Sequence, residues 1–336
     1  MSTNFAILGS GAWGTAIGIL LAQAESHRVR LWSARNAAEL NKRRENVPLL
    51  PGVAIPEAVE ITGDASHAIA DADLLIAAVP TVYMRLTLQP LAEKVSRDVP
   101  VLSLAKGVEN ETFLRPTQII ADLWGSTRLA VLSGPSHAEE VSRGLPASLV
   151  AASDDLGLAR WVQRRFSGER FRVYTNTDIV GVELAGALKN VMAIAAGISD
   201  GLGFGDNAKA ALLTRGLVEM ARFGVALGAE QATFVGLAGL GDLITTCFSP
   251  HGRNRRVGRR LAAGESLDAI VHSSHMVAEG VYTTHSVRDR AAQLGIEMPI
   301  VNEVFRVLYE NKPPLRAVSD LMLRRSRDER GADPDH

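Results

Sequence analysis

The chain has 336 residues, 46% apolar and 22% charged, with a formal net charge of −1 and a pI near 6.7. That balance excludes wholesale disorder and gives none of the strong positive field that non-specific nucleic-acid binding needs. The single cysteine, Cys247, excludes an intramolecular disulfide and suits a reducing compartment, and the length suggests two domains, or one large domain with an appendage.

The N-terminal apolar run at residues 5–8 has no basic segment before it and meets glycine at once, unlike a signal peptide. No stretch reaches the roughly 18–20 unbroken apolar residues of a spanning helix. The expectation is a cytoplasmic protein without membrane insertion.

In chain order, residues 5–8 read as a buried first strand and 13–24 as a helix with Trp13, Ile17, Leu20 and Leu21 on one face. Residues 29–32 read as a second strand and 37–44 as a helix. The run 74–79, ending at Pro80, reads as a central strand buried on both faces. Further strands are expected at 99–105, 129–132, 148–152 and 171–174. This alternation predicts a Rossmann-type parallel sheet flanked by helices. From Asp178 the pattern becomes helical, at 179–199, 208–227, 257–263, 267–270, 284–294 and 300–309, with glycine-rich breaks at 201–205 and 236–241. The predicted division is therefore a dinucleotide-binding domain at 1–177, an all-α substrate domain at 178–325 and a disordered tail at 326–336.

Gly9-Ser10-Gly11-Ala12-Trp13-Gly14 fits G-x-G-x-x-G between a predicted strand and a predicted helix. In that setting Gly9 permits the tight turn, Gly11 lets a pyrophosphate approach, and Gly14 lets helix and strand pack. The second strand ends Trp32-Ser33-Ala34-Arg35, without the acid that usually takes an NAD ribose. Arg35 suits a 2′-phosphate, so NADP is expected ahead of NAD; it also reads as a solvated residue at a helix start.

In the helical half, Leu184, Leu188 and Val191 mark one stripe, with Glu183 and Asn190 sharing a face and Lys189 beside it. A lysine on so apolar a helix is a candidate general acid, against the plainer reading of a solvated group. Gly239-Leu240-Gly241-Asp242 precedes Gly252-Arg253-Asn254-Arg255-Arg256, and four arginines within 253–259 suit a compact anion such as a phosphoester. His272, His275 and Glu279 lack a strict ligand pattern, so no metal is expected. Cys247 reads as a packing residue.

Together these residues resemble the bacterial-type NAD(P)-dependent glycerol-3-phosphate dehydrogenases along nearly the whole chain. The resemblance rests on the glycine turn running into Thr15-Ala16, on Asn46 with Leu50-Pro51-Gly52, and on Lys106-Gly107. It continues through Ser133-Gly134-Pro135-Ser136-His137-Ala138, Leu188-Lys189-Asn190-Val191, Gly239 to Leu243, and Arg253-Asn254-Arg255. It implies reversible reduction of dihydroxyacetone phosphate to sn-glycerol 3-phosphate, supplying glycerophospholipid synthesis, by a homodimer. It further implies Lys189 as proton donor and Lys106 between cofactor and substrate. Gly134, Ser136, Asp242, Gly252, Arg253 and Asn254 would contact substrate with both lysines. Gly9, Gly11, Ala12, Trp13, Gly14, Arg35, Ala138, Arg253, Val277 and Glu279 would line the cofactor with Lys106. Three positions depart from the family pattern: Gly252 replaces a serine, Leu49 a tyrosine and Ala12 a serine. The alternatives are reductases of 2-hydroxyacids or ketopantoate, which would not require this arginine cluster beside the Asp242 loop, and a cofactor-sensing regulator, which would not need a lysine on an otherwise apolar helix.

Overall fold

The computed structural model describes residues 2–273, 277–325 and 329. Eight strands form one sheet: β1 (Thr3–Leu8), β2 (His27–Trp32), β3 (Val59–Thr62), β4 (Leu74–Ala77), β5 (Val101–Ser103), β6 (Leu129–Ser133), β7 (Ala147–Ala152) and β8 (Phe171–Asn176). Their spatial order is β3-β2-β1-β4-β5-β6-β7-β8. All four residues of β4 are buried, as expected of a strand covered on both faces. Apolar clusters lie on the two faces, one around Phe5, Ile7 and Leu31, the other around Leu8, Met84 and Ile119.

Every pairing is parallel except β6 with β7, so the sheet is the expected parallel one with a single reversal. The reason is the connection between them. A parallel return needs a full crossover helix, whereas residues 134–146 hold only the one-turn α6 introduced below. The chain therefore reverses at the carboxyl end of β6, and Gly134 to Ala138 stay there instead of leaving across a face.

The helices of this half are α1 (Ala12–Leu21), α2 (Ala37–Arg43), α3 (Ala65–Ile69), α4 (Thr81–Leu88), α5 (Pro116–Trp124), α6 (Ala138–Val141) and α7 (Leu156–Phe166). β3 and α3 to α7 are absent from the sequence reading. None exceeds 11 residues, which leaves few repeats of any hydrophobic period to detect.

Beyond β8 the chain is helical. Asp178 makes the transition: one carboxylate oxygen accepts from Gly181 N at 2.7 Å, and the other accepts from Glu230 N and the Thr233 hydroxyl at 2.8 and 2.6 Å. It thus caps α8 (Ile179–Gly201) while holding the residues ahead of and within α10. The remaining helices are α9 (Gly205–Ala226), α10 (Gln231–Phe234), α11 (Asp242–Phe248), α12 (Arg253–Ala262), α13 (Leu267–His272), α14 (Glu279–Gln293), α15 (Pro299–Tyr309) and α16 (Pro314–Met322).

α8 is the axis of this bundle and differs from the one-stripe reading. It is buried on nearly every side, with Glu183, Lys189 and Asn190 inward as well as the leucines. Of the described helices it alone is long and apolar enough to cross a membrane, but α9, α11, α12 and α14 enclose it as a core helix. The expected break at 236–241 is also corrected: Leu237–Gly241 forms a π-helical turn leading directly into α11. Residues 326–328 and 330–336 of the expected tail, and His275, lie outside the described residues.

Candidate active site

The carboxyl ends of β1, β4, β5 and β6 open toward α8, α11 and α12, and a cleft of about 1100 Å³, its open mouth included, lies between the two halves. This is where an open parallel sheet presents its loops, beside the switch in strand order at β1.

The glycine turn supplies one wall. Gly9 has φ 118°, and a β-carbon there would meet the Ala78 carbonyl at 2.9 Å; one on Gly14 would lie 2.1 Å from the Gly9 carbonyl. Both glycines are required by backbone contacts behind the turn and neither lines the cleft. A β-carbon on Gly11 would touch nothing within 4 Å, since it points into open space ahead of the α1 N-terminus. Residues of this shape fit a dinucleotide pyrophosphate.

The opposite wall carries the charge. Lys189 on α8 is buried, and its Nζ donates to Asp242 Oδ1 at 2.7 Å and to the Thr246 hydroxyl at 2.6 Å. Lys106, following β5, donates to the other Asp242 oxygen at 2.7 Å and to the Gly134 carbonyl at 2.9 Å. One buried carboxylate thus holds two ammonium groups. Burial would raise the Asp242 carboxyl, but Lys106 and Lys189 together hold it below the usual carboxylate range. Burial pulls the Lys189 ammonium down to about 8, with Asp242 opposing the fall and Lys106 adding to it.

Close helix packing sets the third side. A β-carbon on Gly197 would meet the Arg255 carbonyl at 2.0 Å, and one on Gly258 the Ile194 carbonyl at 2.1 Å, so α12 lies directly on α8. That contact brings Asn254 to Asn190, whose Oδ1 accepts from the Asn254 amide at 2.9 Å. The Asn190 amide donates to the Lys106 carbonyl at 2.8 Å, and Asn254 Oδ1 accepts from Gly280 N at 3.0 Å. Arg253 stands exposed at the rim, donating to the Val277 carbonyl at 3.2 Å. Glu279 accepts from Thr81 N at 2.6 Å, tying the start of α14 to the start of α4.

Of the residues expected from sequence, Gly11, Ala12, Trp13, Lys106, Ser136, Ala138, Lys189, Asp242, Gly252, Arg253, Asn254, Val277 and Glu279 converge on this cleft. Gly134 stands just behind it, its carbonyl taken by Lys106 and by the Ser136 hydroxyl. Arg35 does not join them; it is exposed beyond β2. The four-arginine anion cluster is corrected to one arginine. Helical spacing turns Arg255 to Asp200, at 2.5 Å, and leaves Arg256 and Arg259 exposed away from the cleft. Glu183 is a strut: it binds the Arg115 guanidinium and accepts from Thr117 N and the Thr117 hydroxyl at 2.8 and 2.7 Å. Burial pushes its carboxyl up despite Arg115. His272 is exposed with Nδ1 on the Asp268 carbonyl. Burial pushes the Cys247 thiol up to about 12, consistent with a packing role.

The sequence reading missed Thr246, His137 and His251. Thr246 lies four residues beyond Asp242 on α11, a helical neighbour that could have been read once Asp242 was chosen. His137 and His251, ring centroids 5.8 Å apart, meet from separate loops; His137 lay inside the Ser133-to-Ala138 motif without a role assigned to it, and His251 left no local signal. Burial, reinforced by Lys189, keeps the His137 imidazole below its ordinary value.

Two family models cover the chain: the NAD-dependent glycerol-3-phosphate dehydrogenase N-terminus over residues 4–159 and its C-terminus over residues 178–319. The chain belongs to this family. It is 47% identical to the glycerol-3-phosphate dehydrogenase [NAD(P)+] of Chlorobium phaeobacteroides strain BS1 over 97% of its own length and 98% of the relative's. With that of Moorella thermoacetica it shares 48%, covering 96% and 97%. The crystal structure of glycerol-3-phosphate dehydrogenase from Coxiella burnetii superposes with a TM-score of 0.92 at 37% identity, covering 96% of this chain and 99% of that one. A ketopantoate reductase from Ralstonia eutropha shares the fold alone, at 17% identity and a TM-score of 0.58. The chain is therefore an NAD(P)-dependent oxidoreductase of the glycerol-3-phosphate dehydrogenase family.

Proposed function

We propose that the chain interconverts dihydroxyacetone phosphate and sn-glycerol 3-phosphate, with reduction as the biosynthetic direction feeding glycerophospholipid assembly. The observation that carries this is the buried Lys189 ammonium on the cleft wall, hydrogen-bonded to Asp242 and Thr246 and softened to a pKa of about 8. A bound nicotinamide cofactor supplies the hydride that reduces substrate C2; the chain's own residues supply the remainder.

Lys189 gives its proton to the carbonyl oxygen as negative charge develops there, and its pKa leaves it mostly ammonium near neutrality yet able to give the proton up. Lys106 adds a second fixed positive charge beside it. Asp242 lets the two ammonium groups share one buried site and keeps Lys189 from falling below its working range. Arg253, Asn254 and the α12 N-terminus provide the phosphate end, where a guanidinium and helix amides favour an anion. Gly252 is the N-cap there with no side chain, so backbone supplies what the family's serine would.

We assign cofactor binding chiefly to residues 1–177 and substrate binding to 178–325, with Lys106, Gly134 and Ser136 reaching substrate from the first. Exposed Arg35, with no acid at the end of β2, supports NADP ahead of NAD. Exposed Leu315, Met322 and Leu323 offer an apolar face to a second copy, in keeping with a cytoplasmic homodimer. Purified protein mixed with NADPH and dihydroxyacetone phosphate should consume nicotinamide absorbance and yield glycerol 3-phosphate. Turnover no faster than the protein-free control would overturn the proposal.

A further inference from the structure

Asn46 is a buried polar residue with no part in the chemistry above, and it is 36 residues from the turn it touches. Its side-chain amide donates to the Ser10 carbonyl at 2.8 Å and to the Thr15 hydroxyl at 3.0 Å. The Thr15 hydroxyl also approaches the Ser10 carbonyl, at 3.5 Å.

Asn46 is itself held firmly. Its carbonyl accepts from Leu49 N and Leu50 N at 3.1 and 2.7 Å. The preceding Arg44, at φ 49°, sends its side chain to the carbonyls of Ile55 and Val59 at 3.3 and 2.8 Å. The Ser10 hydroxyl is fixed on the other side by the Ser33 hydroxyl at 2.7 Å.

The consequence lies in the peptide plane between Ser10 and Gly11. In a trans peptide the carbonyl and the next N–H point in opposite directions, and the described chain has no cis peptide bond. Holding the Ser10 carbonyl back toward Asn46 therefore aims the Gly11 N–H forward. Among the described residues that N–H has no acceptor; Gly11 lines the cleft, and a β-carbon on it would meet nothing within 4 Å. A flipped plane would present a carbonyl oxygen to an incoming anion instead.

We propose that Asn46 is the positioning residue that locks this peptide, presenting the Gly11 N–H to the cofactor pyrophosphate. It acts through the Ser10 carbonyl and does not itself touch the ligand. The inference rests on the dinucleotide reading of the glycine turn.

The test compares wild type with Asn46→Ala and Asn46→Asp, the second keeping the shape but donating no hydrogen bond when ionised. Titration calorimetry without substrate measures ADP-ribose, which carries the pyrophosphate, against adenosine, which does not. Loss of one charge-assisted hydrogen bond predicts a roughly tenfold to hundredfold weaker ADP-ribose complex in both variants. Adenosine affinity should stay within about twofold. Equal weakening of both ligands would mean a deformed pocket and would overturn the lock, as would unchanged ADP-ribose affinity. If wild type binds neither ADP-ribose nor its 2′-phosphate derivative, the cofactor reading itself fails. Should both variants unfold, the wild-type Gly11 amide resonance decides: ADP-ribose should move it downfield, and a resonance that stays in place refutes the assignment.

Discussion

Replacing Lys189 by alanine removes the proposed proton donor while leaving Asp242 paired to Lys106, so the variant retains one of the two ion pairs at the buried carboxylate. General-acid catalysis contributes about 10²–10⁴ in rate, and turnover should fall by that factor. The pH profile carries the sharper information. With a pKa of about 8, roughly 90% of Lys189 is protonated at pH 7 and roughly 10% at pH 9. Ketone reduction needs the ammonium, so its kcat should hold level below pH 8 and then fall about tenfold per unit above it. Oxidation of the alcohol needs the free amine, so its kcat should rise through the same region. In Lys189→Ala both limbs should vanish, while cofactor binding, followed by nicotinamide fluorescence without substrate, stays near wild type. The assay is nicotinamide absorbance in both directions from pH 6 to 10. A variant within tenfold of wild type, or limbs running the same way in both directions, would refute Lys189 as the acid.

Asp242→Asn leaves the buried Lys189 ammonium and the part-buried Lys106 ammonium without their carboxylate, and should cost about 3 kcal/mol in denaturant unfolding. The surviving protein should show the alkaline decline of reduction beginning below pH 8, because the group that held the Lys189 pKa up is gone; a limb moving upward would contradict this. Arg253→Ala should raise the KM for dihydroxyacetone phosphate about tenfold or more with kcat little changed, and an unaltered KM would remove Arg253 from the phosphate end. Arg35→Ala should raise the KM for NADPH several-fold while leaving that for NADH close to wild type. Equal effects on both cofactors would place Arg35 outside the 2′-phosphate contact.

The glycine turn was legible because its requirements are local. Gly9 needs a positive φ and Gly14 an absent β-carbon within six residues of chain, and both constraints leave the same mark in any sequence. The central strand β4 was legible for a similar reason, since burial on both faces demands an unbroken apolar run. Lys189, Asp242 and Arg253 were readable as ordered members of a family pattern, but what they do to one another was not. Lys189 and Asp242 are 53 residues apart and Lys106 and Asp242 are 136 apart, so their shared carboxylate exists only once α8, α11 and the end of β5 have packed. Burial and charge, which set the Lys189 pKa, come from those neighbours and not from the residues beside it in sequence.

Tertiary packing also decided against two plausible local readings. The arginine run after Gly252 looks uniformly suited to an anion, yet the helical twist gives the cleft only Arg253 and commits Arg255 to Asp200. Glu183 looks like a companion of Asn190, yet the arrival of α5 turns it into a cap for a distant helix. Sequence alone determined where a dinucleotide phosphate could be cradled, because backbone sterics act over a few bonds. Only the tertiary structure decided which charges line the cleft, because electrostatics acts through space among groups the chain brings together late.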